Sequence, residues 1–232
     1  MQSSPLPNPC AGAQQVLASA EELFARHGYD GVSMTAVAHH AGVSKANIFH
    51  HFTSKEQLYV AVIRKAVSIN FERMDALIHG SLDFPTRLKR LLQLRVEHLF
   101  THDCGTRLVM REILDGDRAR LQTLANSVFD RAMQDGTAFF EVARDRGEVR
   151  AELDPKVAAL TVSSLCLTYF QCRELMRHTL YAELTQSIEQ FADGMAQQML
   201  LGMLPAAAAL ELLGKETPNG KRSATKARGA RA

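Results

Sequence analysis

The sequence predicts an all-α protein, with an N-terminal helix-turn-helix domain followed by a larger helical domain. Apolar residues recur three or four positions apart along most of the chain, and no segment alternates apolar and polar residues as a half-buried strand would. Ser, Asp and Gly punctuate that periodicity at positions suited to starting and stopping helices.

From Ala13 to His27, Val16, Leu17, Ala20, Leu23 and Phe24 line one face, with Gln14, Ser19, Glu22 and Arg26 opposite. Gly28 supplies the stop. A short second helix is expected over about Met34–Ala41 with Ser33 as N-cap, and a third from Ser44 to near Phe52. Ser54-Lys55-Glu56-Gln57 has the form of a capping box ahead of Leu58, Val62 and Ala66. This fourth helix is expected to run to about Ile78 and to link the N-terminal unit to the rest. Further helices are expected at Thr86–His102, Thr106–Leu114 and Ala119–Arg146, the last kinked or split at Asp135-Gly136. Asp154-Pro155 starts another, to about His178, with an acid at N-cap and proline at N1. It carries no charge from Val157 to Cys172, so something must cover it on both sides. Leu184, Ile188, Phe191, Met195 and Met199 make one stripe in the next helix, Leu184–Met203.

These signals divide the chain into a flexible leader (1–12), a helix-turn-helix domain (13–60), a helical domain (61–204) and a disordered basic tail (205–232). The leader lacks the basic and apolar regions of a signal peptide. The stretch from Val157 to Cys172 is shorter than the ~20 residues of a membrane span. No membrane partner and a cytoplasmic location are expected. The tail sets Lys215, Lys221, Arg222, Lys226, Arg228 and Arg231 against the single acid Glu216. Cys10, Cys104, Cys166 and Cys172 have no CxxC spacing and read as free thiols, with a redox pair at Cys166 and Cys172 as the alternative.

Function is most legible in Gly31–Lys55, GVSMTAVAHHAGVSKANIFHHFTSK. Two short helices meet at Ala41-Gly42-Val43, and Val37, Ala38, Val43 and Ile48 suit a miniature core. Such a turn presents its second helix to a DNA major groove. The stretch contains no Asp or Glu, while Lys45 and Lys55 are basic and His39, His40, His50 and His51 are potential donors. A surface without acids suits a polyanion. Lys45 and Asn47 have side chains able to read base edges, and the amides at Ser44 can face a phosphate.

The run Ala20–Leu58, AEELFARHGYDGVSMTAVAHHAGVSKANIFHHFTSKEQL, resembles the N-terminal domain of the tetracycline-repressor (TetR) family. Matching elements are Leu23-Phe24 before His27-Gly28-Tyr29, the AGVSK turn, Phe49 through Phe52, and Ser54-Lys55-Glu56. The resemblance implies a homodimeric repressor of a double-stranded DNA operator. It also implies a C-terminal domain that binds a small-molecule effector and pairs through its last two helices. Thr35 and Lys55 would then contact phosphate, Lys45, Ala46 and Asn47 would approach bases, and His50 would lie on the backbone beside them. Phe49 departs from the tyrosine common in the family, and the region ahead of the first helix lacks the usual basic residues.

In the second domain, Met110, Phe129, Met133, Phe140 and Tyr169 are candidate lining for an adaptable, largely apolar pocket, with plain core packing as the alternative. Arg107, Arg111 or Arg173 would meet a single carboxylate there. The paired histidines lack the i, i+4 spacing of a helical metal site, and no cofactor is expected. Asp115, Asp117, Glu148 and Glu152 fall at helix ends, where capping explains them, and no nucleophile–base pair or phosphate loop indicates an enzyme. A rival reading keeps the fold but makes the protein a nucleoid or division factor without an effector.

Overall fold

The second, third and fourth helices each begin where a serine hydroxyl replaces a missing backbone acceptor. In the computed structural model, which describes residues 11–68 and 71–215, α1 spans Ala11–His27. Ser33 starts α2 (Met34–Ala41) by accepting from the Ala36 amide. Ser44 starts α3 (Lys45–His51) by accepting from the Asn47 amide at 3.1 Å. Between them Gly42 takes the left-handed conformation (φ 64°), which lets its own amide and that of Val43 reach back to the His39 and Ala38 carbonyls. Ser54 caps α4 (Lys55–Val67) through the Gln57 amide, and Gln57 Oε1 returns to the amide and hydroxyl of Thr53.

The fourth helix does not run to Ile78. It ends at Val67, where Ser68 is extended (ψ 117°), and a separate α5 spans Phe71–His79. The Ala66 carbonyl, left without an intrahelical partner, accepts from His98 Nε2 at 2.8 Å. A tertiary contact thus replaces the next helical turn. α6 (Phe84–Thr101) follows from the Asp83 cap, and α7 spans Asp103–Asp115.

α8 (Arg118–Leu124) passes through a π-helical turn at Ala125–Phe129 into α9 (Asp130–Asp145). The irregularity expected at Gly136 therefore lies earlier. Gly136 sits inside α9 and is buried, and a Cβ there would stand 3.1 Å from Arg95 Nη2 and 3.5 Å from Ala159 Cβ. Its role is close approach, not a kink. α10 (Pro155–Met176) starts at Asp154-Pro155. Leu184 belongs to a 3₁₀ turn, Ala182–Thr185, and Ser187 caps α11 (Ile188–Met203). The segment expected to be disordered from 205 begins instead with α12, Ala206–Lys215. Pro205 accepts from the Ala209 amide, so it opens this alanine- and leucine-rich helix. Of the leader expected over 1–12, Ala11 and Gly12 belong to α1, while residues 1–10 with Cys10, and the basic stretch beyond Lys215, lie outside the described residues. Among the described residues there is no strand, and no helix is long and apolar enough to cross a membrane.

Two cores result. Phe24, Ile48, Leu58, Tyr59 and Ile63 form one with Leu108, Val109, Leu124 and Val128, so α7, α8 and the π turn pack on the N-terminal helices. Leu88, Leu92, Phe139, Phe140, Val162, Tyr169 and Phe191 centre the other, built from α5, α6, α9, α10 and α11.

α6 carries two arginines on its apolar stripe. Arg87 is fully buried and well partnered: its Nε donates to the Leu82 carbonyl, its Nη1 to the Leu77 and Ile78 carbonyls, and its Nη2 to Glu148. It closes the C-terminal end of α5 and pins it to the loop after α9. Replacing Arg87 by Met should therefore lower stability by about 3–5 kcal/mol, the range for breaking a buried ion pair, as measured by the urea midpoint.

Candidate nucleic-acid interface and buried cavity

On α3, Ile48 alone is buried, and it anchors the helix to the core. Ser44, Lys45, Ala46, Asn47 and His50 are all exposed, as is Thr35 on α2. The side chains expected to contact bases are thus open to solvent along α3, and Thr35 is open on α2. Phe49 is 41% exposed, and Lys45 Nζ lies 5.8 Å from its ring centre. His40 is turned aside to Glu22 on α1, at 3.2 Å. Lys55 is half-buried, with its Nζ 4.3 Å from the ring centre of Tyr29.

Tyr29 leads from this surface into the body of the protein. Its ring packs edge-on against Tyr59 at 4.9 Å, and the Arg120 guanidinium lies 4.5 Å from it. Tyr59 donates to Glu112 Oε2 at 2.7 Å, and Arg120 Nε donates to Glu112 Oε1 at 2.7 Å. Burial and the Glu112 hydrogen bond hold the Tyr59 phenol far above its ordinary pKa, so it stays a donor. This network joins α4 to α7 and α8. A further contact lies two turns away, where Gly105 on α7 approaches α4 so closely that a Cβ would be 2.6 Å from that of Ala66.

Against the same end of α4 lies a cavity of about 140 Å³. Ala66 and Val67 form one wall, and Val109 and Ile113 of α7 another. Phe129 of the π turn and Met133 of α9 close a third, and Cys166 and Leu167 come from α10. The lining is almost wholly apolar, its polar members being Arg95, His98, Thr106 and Ser163. Of the residues the sequence suggested for a pocket, Phe129 and Met133 line this cavity. Phe140 is buried in the C-terminal core, and Tyr169 stacks on Phe191 at 3.8 Å. Met110 is half-buried and outside the lining. The facing cation is Arg95, not Arg107, Arg111 or Arg173: Arg107 bonds Asp103 on the surface, Arg111 is exposed, and Arg173 donates to the Thr185 carbonyl. Sequence reasoning passed over Arg95 and His98, although a cation amid the apolar stripe of Leu88, Leu91, Leu92, Val96 and Leu99 was a readable signal.

Burial pulls the His98 imidazole below its ordinary pKa, against the effect of the Ala66 carbonyl. It is neutral at pH 7 with the proton on Nε2, because that nitrogen faces a carbonyl. Burial pushes the Cys166 thiol up to about 12. Cys104, Cys166 and Cys172 are all free thiols. No group of three or more His, Cys, Asp or Glu able to hold a metal occurs among the described residues.

Fold and surface together define an all-helical helix-turn-helix protein with a small, partly open apolar pocket between the end of α4 and helices α6, α7, α9 and α10. The model for bacterial regulatory proteins of the tetR family matches residues 16–62, the stretch that holds the helix-turn-helix. The chain is 32% identical to the transcriptional regulator RutR of Escherichia coli over 106 residues, 46% of this chain and 50% of that protein. It is 31% identical to the transcriptional repressor AcnR of Corynebacterium glutamicum over 104 residues, 40% of this chain and 55% of that one. The chain therefore spans about half the length of these relatives. The fold is shared with the fatty acid degradation regulator FadR of Bacillus halodurans (TM-score 0.62, 18% identity, 81% of this chain and 97% of that one). It is shared also with FadR of Bacillus subtilis, solved in complex with stearoyl-CoA (TM-score 0.61, 17% identity, 77% and 96%).

Because the thiolate is the reactive form, iodoacetamide at pH 8 should modify exposed Cys104 and leave Cys166 untouched in the folded protein. Peptide mass mapping with and without urea checks this. Native-state labelling of Cys166 at the rate of Cys104 would contradict its burial.

Proposed function

We propose that the protein is a DNA-binding transcriptional repressor, without catalytic activity, that acts in the cytoplasm. It binds a palindromic operator as a homodimer and is released by a small, largely apolar effector. One observation carries the reading: the exposed face around α3, with Ile48 as its anchor, offers Lys45, Ala46, Asn47 and His50 together. In this reading α3 enters the major groove, Lys45 and Asn47 meet base edges, and Thr35 and Lys55 meet phosphates. The named relatives support the repressor assignment, and the partly open apolar cavity supports an effector over the nucleoid or division role. Its volume suits a molecule far smaller than the stearoyl-CoA bound by FadR of Bacillus subtilis.

Dimerisation follows from what α10 leaves uncovered. Val157 is 59%, Leu160 57% and Leu175 68% exposed. They share their stripe with Thr161, Ser164, Thr168 and Gln171, which are uncharged. On α11, Gln190, Gln197, Gln198, Leu201 and Gly202 are likewise exposed and uncharged. A second copy covers these faces and places two recognition helices on successive turns of DNA. Leu165 and Met195 are half-buried, so a charge at either would also disturb the monomer.

Coupling runs through the cavity wall. Val109 lines the cavity and Glu112, one turn further along α7, holds Tyr59 of α4. A ligand that favours one placement of α7 against α4 shifts the spacing of the two α3 helices.

Selection of genomic fragments on the immobilised protein should enrich palindromic sites, and retention of none above competitor would end the proposal. On such a site Asn47→Ala should cost about 1–3 kcal/mol and relax one position per half-site, whereas Lys55→Ala should weaken all sequences alike. Gel-shift titrations on site variants and at several salt concentrations separate the two. Paired Val157→Asp and Leu160→Asp changes should give folded monomers by sedimentation and circular dichroism. A wild-type monomer at micromolar concentration would refute the dimer.

A further inference from the structure

We propose that the cavity takes a small monoanionic carboxylate with an apolar body about the size of one aromatic ring, anchored by Arg95. The inference rests on reading the cavity as the effector site and adds the charge and size of the ligand.

The contrast with Arg87 is the starting point. Both arginines lie on the apolar stripe of α6, two turns apart. Arg87 has its carboxylate and three carbonyls. Arg95 lines the cavity, and its Nε is sealed from solvent with no hydrogen-bond partner. Asp135, the carboxylate whose charge acts on Arg95, is held by Arg131 Nε at 3.0 Å. Burial lowers the pKa of Arg95, against the smaller influences of Cys166 and Asp135, yet a guanidinium does not give up its proton in a protein. A cation with a sealed donor left unpartnered costs stability, and an anion arriving from outside would relieve that cost.

Space has been kept for that guanidinium. Gly136 faces Arg95 Nη2, and any side chain there would stand within 3.1 Å of it. The remaining polar lining does not compete for the anion. His98 spends its Nε2 proton on the Ala66 carbonyl and, being neutral, turns a lone pair outward from Nδ1. Cys166 stays a protonated thiol. One guanidinium balances one negative charge and matches the planar fork of a carboxylate. A phosphate dianion would leave its second charge uncompensated among apolar walls.

Size follows from the volume. At about 140 Å³ the cavity compares with one of about 150 Å³ known to hold benzene. Val109, Ile113, Phe129, Met133 and Leu167 would enclose the ring or a short branched chain.

Calorimetric titration of the full chain with benzoate, phenylacetate and hexanoate, each beside its neutral amide, tests the assignment. At least one acid should bind about tenfold or more tightly than its amide, and Arg95→Met should abolish that preference. Thermal unfolding of Arg95→Met should occur at the same temperature as wild type or higher, because an unpaired charge has gone. Amides that bind as well as acids, acids that all fail to bind, a preference that survives in Arg95→Met, or a lowered Tm in that variant would each overturn the proposal. Gel shifts on a selected operator distinguish the two readings. An acid that binds through Arg95 without changing DNA affinity upholds the anion site and defeats the effector role. A neutral molecule that enters the cavity and releases DNA does the reverse.

Discussion

A single buried carboxylate holds the two halves of this protein in register. Glu112 is 4% exposed and accepts from Tyr59 of α4 and from Arg120 of α8. Its two oxygens are matched by two donors, which offsets the cost of taking its charge out of water. Because Tyr59 belongs to the N-terminal core and Arg120 to the second half, neither half can rotate without breaking a charge-assisted bond. The Arg120 guanidinium also rests on Tyr29, whose ring meets Lys55 at the start of α4. A short chain of contacts therefore leads from α7 to the helix-turn-helix.

The cavity lies beside that chain. Val109 faces it one turn before Glu112, and Ala66 and Val67, the last residues of α4, face it from the other side. A helix running unbroken through both domains would carry motion as a rigid rod. The break after Val67 gives a different device, in which the end of α4 is held by His98 and by the close approach of Gly105. A ligand touching α4, α6, α7 and α10 together can bias such a joint because it bears on several packed elements at once.

The two arginines of α6 give this joint its chemical character. Arg87 belongs to the architecture, since every donor it commits satisfies a carbonyl or a carboxylate already in the chain. Arg95, with an apolar cavity before it and a glycine behind it, is organised for a partner the chain does not supply. Residue type and helix face are the same for both, and only the surroundings differ.

The sequence by itself determined the helical class, the turn at Gly42, the caps at Ser33, Ser44, Ser54 and Asp154, and the absence of acids along α3. These depend on neighbours within four residues, so the spacing of side chains suffices to read them. The charge-free stretch of α10 from Val157 to Cys172 was legible for the same reason. Tertiary structure decided where α4 stops, that Gly136 makes room for Arg95, that a π turn precedes α9, and that Pro205 opens a helix. It also separated Phe129 and Met133, which line the cavity, from Phe140 and Tyr169, which fill the core. All of these are apolar residues on helical stripes, and a stripe shows only that a side chain points inward. Whether it meets another side chain or an empty space depends on helices many residues away in sequence.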